Sequence, residues 1–297
     1  MLLERDNEGN TLLMLGARLD AGEVSVVSGD SFSTPEALVA VSGAGRAGVR
    51  HLFHAHLRQS VLPAVAATPR KVHLNTWESL GFNLSAAALG ELVRAAASLG
   101  VERFVLDDGW FRGRRDDTTS LGDWIPDPAL FPAGLQPLIR EVQAAGMDFG
   151  LWVEPEMVSP QSDLLRAHPD WCLHLPGRSQ PTQRHQRVLD LSRPEVTDYL
   201  FARLDTLLRD NDIAYLKWDH NRDLTDVTHD GRPAVHGQTL AAYRLLDELR
   251  AAHPTVEIES CSSGGGRVDL GIAVRTDRFW TSDCNDAVER QRIQRGF

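Results

Sequence analysis

The chain has 297 residues, 42% of them hydrophobic and 24% charged, with a formal net charge of −10 at pH 7. That composition suits a globular protein with one large core or two domains. The acidic balance, with no basic run to offset it, argues against a nucleic-acid or acidic-membrane partner and leaves neutral or cationic small molecules open.

No stretch approaches the ~20 apolar residues that span a bilayer. The opening Met1-Leu2-Leu3-Glu4-Arg5-Asp6 lacks a basic region followed by an apolar one, so no secretory signal is expected. Three cysteines, Cys172, Cys261 and Cys284, are spaced neither as a zinc site nor as a disulfide framework. A reducing, cytoplasmic setting is the simplest expectation.

In chain order, residues 1–62 read as strands, turns and a closing helix. Thr11–Gly16 and Glu23–Val27 are strand-like, and Val49–Leu62 has an amphipathic helical pattern. Residues 63–70, with Pro63 and Pro69, read as a linker. From Lys71 the pattern alternates between strand and helix. Strands are predicted at 71–77, 103–108, 147–154, 187–191, 213–219, 256–261 and 278–283. Helices are predicted at Leu84–Leu99 (closed by Gly100), Gly134–Ala145 (closed by Gly146), Pro194–Arg209 and Gln238–Ala252. Repeating βα units over ~200 residues predict a parallel barrel or a doubly wound sheet. Seven strands are counted, one short of a closed eight-stranded barrel, and the first ~50 residues are too few for a complete sandwich. The expectation is therefore an internal segment of a longer protein: 1–62 the end of a β-sandwich domain, 71–297 a (β/α)8 barrel lacking strand eight; a seven-stranded or open sheet is the rival reading.

The polar residues gather at the C-terminal ends of the predicted strands. These ends read Asn75-Thr76-Trp77-Glu78, Asp107-Asp108-Gly109-Trp110, Trp152-Val153-Glu154-Pro155-Glu156, Lys217-Trp218-Asp219-His220-Asn221, Cys261-Ser262-Ser263-Gly264-Gly265-Gly266-Arg267 and Trp280-Thr281-Ser282-Asp283. In a parallel barrel these ends share the face that carries active sites. Alternation along a strand puts Lys217, Asp219 and Asn221 on one side. Trp faces stack on the C–H faces of sugar rings, and carboxylates and amides satisfy vicinal hydroxyls. Two carboxylates across a cleft are the apparatus of glycoside hydrolysis.

Together with Leu106–Phe111, Gly122-Asp123-Trp124 and Leu151–Met157, these segments resemble the α-galactosidases of glycoside hydrolase family 36, from about Pro35 to Phe297. The resemblance implies a retaining glycosidase that removes terminal α-galactosyl residues from melibiose or raffinose-type oligosaccharides. It implies no cofactor and no metal, and a homo-oligomeric full-length protein. By position in its motif, Asp219 is implied as nucleophile and Asp283 as acid/base. Asp107 and Asp108 are implied on the galactose 4- and 6-hydroxyls, and Lys217 and Asn221 on the 2- and 3-hydroxyls. Arg184 is implied beside the nucleophile, and Lys217 and Arg184 are both candidates for keeping it ionised. Trp77 and Trp152 are implied as pocket walls. Cys261 is implied as a substrate contact, and Gly264 belongs to a tight turn near the sugar. On predicted strands five and seven, Asp219 and Asp283 have stems ~9–10 Å apart, a gap that inward side chains can close to the ~5–5.5 Å of a retaining pair. Asp283 is expected in a partly apolar setting beside Trp280.

Rival readings attach to several residues. Asp286 competes for the acid/base role but also suits a helix N-cap. Glu154 reads as a support behind the site, Glu156 as structural, and Glu259 as pairing with a neighbouring strand. Asp107 and Asp108 cannot both point inward from a regular strand, so a kink must begin there. His51 and His54 share a helical face without an acidic partner and read as a solvated helix. Within the family, α-N-acetylgalactosaminide hydrolysis and α-galactosyl transfer are alternatives. Outside it stand an inactive sugar-binding fragment and a metal-dependent barrel hydrolase.

Overall fold

The computed structural model describes residues 2–62, 69–225 and 227–295. It opens with a hairpin, β1 (Leu2–Arg5) and β2 (Thr11–Met14), and a helix α1 (Gly45–His56) that runs into a π-helical turn, Leu57–Val61. Then come β3 (His73–Asn75), α2 (Trp77–Leu80), α3 (Ala86–Ser98), β4 (Arg103–Leu106), α4 (Gln136–Ala144) and β5 (Asp148–Val153). An excursion of β6 (Met157–Val158), α5 (Asp163–Ala167) and β7 (Arg187–Val188) precedes α6 (Pro194–Asp210) and β8 (Tyr215–Trp218). A second excursion, the hairpin β9 (Thr228–His229) and β10 (Arg232–Pro233), leads to α7 (Val235–Ala252), β11 (Glu257–Ser260), α8 (Leu270–Ala273), β12 (Arg278–Phe279) and α9 (Ala287–Gln294).

Six strands form one parallel sheet in the order β3-β4-β5-β8-β11-β12. Spatial order follows chain order throughout. That is barrel connectivity, because a doubly wound sheet reverses direction at a switch point. The fold is an α/β partial barrel, with six parallel strands where the closed form has eight.

Alternation along the strands separates two faces. Phe104, Leu106, Phe149, Leu151, Leu216 and Ile258 are buried on the helix-facing side, in one core with Leu89 and Val93 of α3, Ile139 and Val142 of α4, Leu200 and Leu204 of α6, and Leu245 and Leu249 of α7. Each such side chain contributes about 1.5–3 kcal/mol by leaving water. The other face carries the polar residues: the register lines up Trp152, Lys217, Glu259 and Arg278 in one row across four strands. The helices form where the apolar period and the caps agree. Ser85 accepts the Ala88 N–H at 3.1 Å to start α3, and Pro194 occupies the first turn of α6.

Three expectations are corrected. The segment 187–191 is not a strand of the sheet: only Arg187–Val188 pairs, antiparallel with Met157–Val158, and β5 pairs directly with β8. Its Val188, Leu189 and Leu191 are buried all the same, and an apolar run does not specify which partner buries it. Asp219 and Asp283 therefore follow the fourth and sixth sheet strands rather than the fifth and seventh, with β11 still between them. Glu23–Val27 forms no strand, and the hairpin uses Leu2–Arg5 instead. The predicted linker falls mostly on 63–68, outside the described residues.

Candidate active site

The C-terminal ends of the sheet strands enclose a cavity of about 190 Å³, the scale of one sugar ring. Trp77, Asp107, Asp108, Trp152, Arg184, Lys217, Asp219, Asn221 and Asp283 all reach it. At its base, Asp219 is 6% exposed. Its Oδ2 accepts the Asn221 amide at 2.6 Å and the Trp152 indole N–H at 3.0 Å, and its Oδ1 accepts the His220 backbone N–H at 2.9 Å. Burial alone would push this carboxyl up. The Lys217 ammonium, with hydrogen bonds from Asn221, Cys261 and Trp152, outweighs it and holds Asp219 below the usual carboxylate range. A buried carboxylate kept ionised by fixed donors is what a nucleophile at carbon requires.

Lys217 in turn lies 3.1 Å from Asp107, whose Oδ2 also accepts the Asn75 side-chain amide. The kink expected at the adjacent aspartates is present. β4 ends at Leu106, and Asp108 turns away from Asp107 to meet Arg114 at 2.8 Å and 3.0 Å. Burial nevertheless pushes the Asp108 carboxyl up.

Asp283 stands on the far side, past the end of β12. It is exposed, and its Oδ1 accepts the Trp280 indole N–H at 2.8 Å. The expected apolar setting is not there: Trp280 presents its polar edge to Asp283, while the ring face receives Lys217 and Arg290. The turn after β11 sets the backbone beside Asp283. Gly264 has φ +87°, and a Cβ there would lie 2.8 Å from Ser282 Cα and 3.0 Å from the Asp283 nitrogen. Asp286 caps α9, accepting the Val288 and Glu289 N–H groups at 3.0 and 2.8 Å, and does not line the cavity.

A family model for melibiase matches residues 31–297. The chain belongs to the melibiase family. It is 47% identical over its whole length to an α-galactosidase of Escherichia coli, and 42% identical over 90% of its length to α-galactosidase AgaA of Geobacillus stearothermophilus. The chain spans 42% and 38% of the length of those relatives. Its fold matches the solved structure of the G. stearothermophilus AgaA with a TM-score of 0.80, at 42% identity, over 84% of this chain and 36% of that one. A variant of the same enzyme solved in complex with stachyose matches equally, with a TM-score of 0.80 at 41% identity over the same shares of both chains.

Of the two candidate cations for Asp219, the structure selects one. Arg184 is exposed, has a positive φ of 52°, and makes no ion pair with Asp219 among the described residues; the cation that holds Asp219 is Lys217. The reason is topological: Lys217 is on the same strand as Asp219, two residues back, whereas Arg184 sits on the β6–β7 excursion at the rim. Trp152 was expected to offer its ring, and its N–H is engaged as well. Cys261 is buried, its thiol donates to Asp219, and burial followed by the Asp219 charge pushes that thiol far up, so it stays protonated.

Two other cavity residues, His73 and Tyr215, were not singled out in the sequence. His73 and Tyr215 stack edge to face at 5.4 Å on the inner side of the sheet, and burial, helped by Arg278 and Arg103, pushes His73 down to about 4. Inward alternation from Asn75 and Lys217 could have found both. Glu259 pairs with Arg278 of the neighbouring strand at 3.2 Å, and Glu156 with Arg267 at 2.8 Å. Among the described residues, no cluster of three or more His, Cys, Asp or Glu is placed to hold a metal ion, and no helix is long and apolar enough to cross a membrane.

Proposed function

We propose that this chain is the catalytic barrel segment of a retaining α-galactosidase. The observation that carries the reading is Asp219: a carboxylate buried at the floor of a sugar-sized cavity, kept ionised by Lys217 and three side-chain donors, with the exposed Asp283 on the next strand but one. Asp219 attacks the anomeric carbon from the β face as Asp283 gives its proton to the departing glycosidic oxygen. The glycosyl–enzyme ester then forms and the α bond breaks. Asp283, now a carboxylate, takes a proton from water. The water oxygen bonds the anomeric carbon, the ester bond breaks, and Asp219 leaves as a carboxylate with the α configuration restored.

In this reading Asp107 and Asp108 hold the 4- and 6-hydroxyls, and Lys217 and Asn221 the 2- and 3-hydroxyls. Trp77, 36% exposed, and Trp152 wall the ring and Arg184 guards the rim, while Cys261 and Gly264 do not line the cavity: Cys261 stands behind Asp219 and Gly264 beside the Asp283 backbone. Terminal galactosides of the melibiose, raffinose and stachyose type are the substrates this supports, by likeness to relatives solved with stachyose and raffinose. We read 1–62 as the end of a β-sandwich domain. Leu3 and Leu13 on one side of its hairpin, and Leu12 and Met14 on the other, are exposed, apolar surfaces suited to further protein, whether of the same subunit or of a partner in a homo-oligomer. Cytoplasmic residence fits the three free thiols.

Turnover of a chromogenic α-galactoside by this chain, with Asp219→Ala as control, tests the reading. Release abolished by D219A supports it. Turnover that survives D219A overturns the assignment, and galactose binding without any turnover by the unaltered chain favours a sugar-binding fragment.

A further inference from the structure

Two glutamates of the Trp152–Met157 stretch are equally buried and differently served. Glu156 has a cation: Arg267 lies 2.8 Å from its Oε1, which also accepts the Trp218 indole N–H at 2.9 Å. Burial would raise this carboxyl, and Arg267 more than offsets it, so Glu156 is held ionised. Glu154 is 1% exposed, and no cation lies within ion-pair distance of it among the described residues.

The charges facing Glu154 are unfavourable or already engaged. Asp219 approaches from the β8 end and Asp108 from the β4 end, the latter paired with Arg114. Arg222 is engaged by the carbonyls of Pro181, Gln186 and Asp223 and by Thr225. Lys217 is engaged by Asp107. An ionised carboxylate buried beside Asp219 without a cation would carry the full penalty of desolvation and like-charge repulsion.

Two donors reach the carboxyl; the Asn221 bond favours the charged form but is outweighed by burial and the Asp219 charge. Glu154 Oε1 accepts the Asn221 backbone N–H at 2.6 Å, and Oε2 lies 3.1 Å from the Gln186 side-chain nitrogen. The Gln186 side-chain oxygen is buried and has no partner. With that amide turned over, its oxygen becomes the acceptor for a Glu154 hydroxyl. Asn221 is the residue whose side chain donates to Asp219 at 2.6 Å, and the Asp219 backbone N–H donates to the carbonyl of Val153 at 2.8 Å. Residues 153–154 thus clamp 219–221.

We propose that Glu154 is a positioning residue that works as a neutral carboxylic acid, bridging Gln186 and the Asn221 backbone so that Asn221 is aimed at Asp219. The inference rests on the reading of Asp219 as the nucleophile for its catalytic consequence, and not for its protonation. Burial first, and the Asp219 charge second, push the Glu154 carboxyl from 4.5 to about 8.

The sign follows from linkage. The folded state keeps a proton that the unfolded chain gives up near 4.5. Stability from this group is therefore complete below that pH and lost progressively up to about 8. Glu154→Gln keeps an acceptor for Asn221 and a donor for the Gln186 oxygen, but has no proton to lose. The midpoint of thermal unfolding, followed from about pH 5 to about pH 8, should fall less steeply in E154Q than in the unaltered protein, by several degrees over that interval. Parallel curves for the two proteins would overturn the proposal.

Kinetics supply the second arm. Glu154→Met, which lacks the acceptor, should lower kcat about tenfold or more with a smaller change in KM, and E154Q should restore most of that loss. E154Q as damaging as E154M would show that the negative charge is needed and sink the neutral-acid role. If E154M does not fold, the unfolding comparison with E154Q decides alone. If the unaltered protein shows no turnover, the galactosidase reading fails while the unfolding comparison still tests Glu154.

Discussion

The indole nitrogen of Trp152 donates to Oδ2 of Asp219 across 3.0 Å, from β5 to the end of β8. The register makes this contact: Trp152 lies opposite Lys217, and the strand-extending bond from the Asp219 nitrogen to Val153 brings the carboxylate over the indole edge. One side chain therefore both walls the cavity and supports the charge on its floor.

Trp152→Phe keeps most of the wall and removes the donor. A hydrogen bond to a charged group is worth about 1.5–3 kcal/mol, so kcat/KM should fall about tenfold or more. Steady-state kinetics on a small α-galactoside measure it, and an unchanged kcat/KM would mean the indole acts only as a surface.

Lys217→Met removes the cation that outweighs burial at Asp219. The Asp219 carboxyl, now held below the usual range, should move up. Protonated Asp219 cannot attack, so the acid limb of kcat/KM should shift to higher pH. A pH–rate profile reads this directly, and an acid limb that stays in place would return the charge-partner role to Arg184.

Asp283 and Asp286 separate cleanly by variant. Asp286→Ala removes the N-cap of α9 and should cost about 1 kcal/mol of stability while turnover persists. Asp283→Ala should reduce turnover of a substrate with a poor leaving group about a hundredfold or more. Urea unfolding and kinetics on both variants give the comparison; the reverse pattern would exchange their roles.

Gly264→Ala places a Cβ 2.8 Å from Ser282 Cα at a φ of +87°. Strain at such a position costs about 1–3 kcal/mol, and the neighbour that must yield is the backbone carrying Asp283. The variant should lose stability in urea and lose kcat beyond what unfolding accounts for. Full kcat in the folded variant would show that the turn does not set Asp283.

Much of the helix pattern was legible locally. Gly100, Gly146, Pro194 and the apolar period of α7 each lie within or beside one element, so short-range patterns report them. The same holds for Lys217, Asp219 and Asn221, which lie two apart along one chain direction and reach one cavity. Segment 187–191 shows the limit: its apolar residues are buried as expected, but against β6 rather than in the sheet, because hydrophobicity encodes burial and not partner.

From sequence alone, the alternation of strand and helix, the gathering of carboxylates and tryptophans at strand ends, and the resemblance to family 36 follow, because each is carried by residues close together along the chain. Only the tertiary structure decides that spatial order follows chain order, that Lys217 rather than Arg184 holds Asp219, that Trp152 uses its N–H, and that of two buried glutamates Glu156 has a cation while Glu154 has none among the described residues. Those depend on cross-strand register and on which charges remain near a carboxyl once water is gone, and both are properties of neighbours in space.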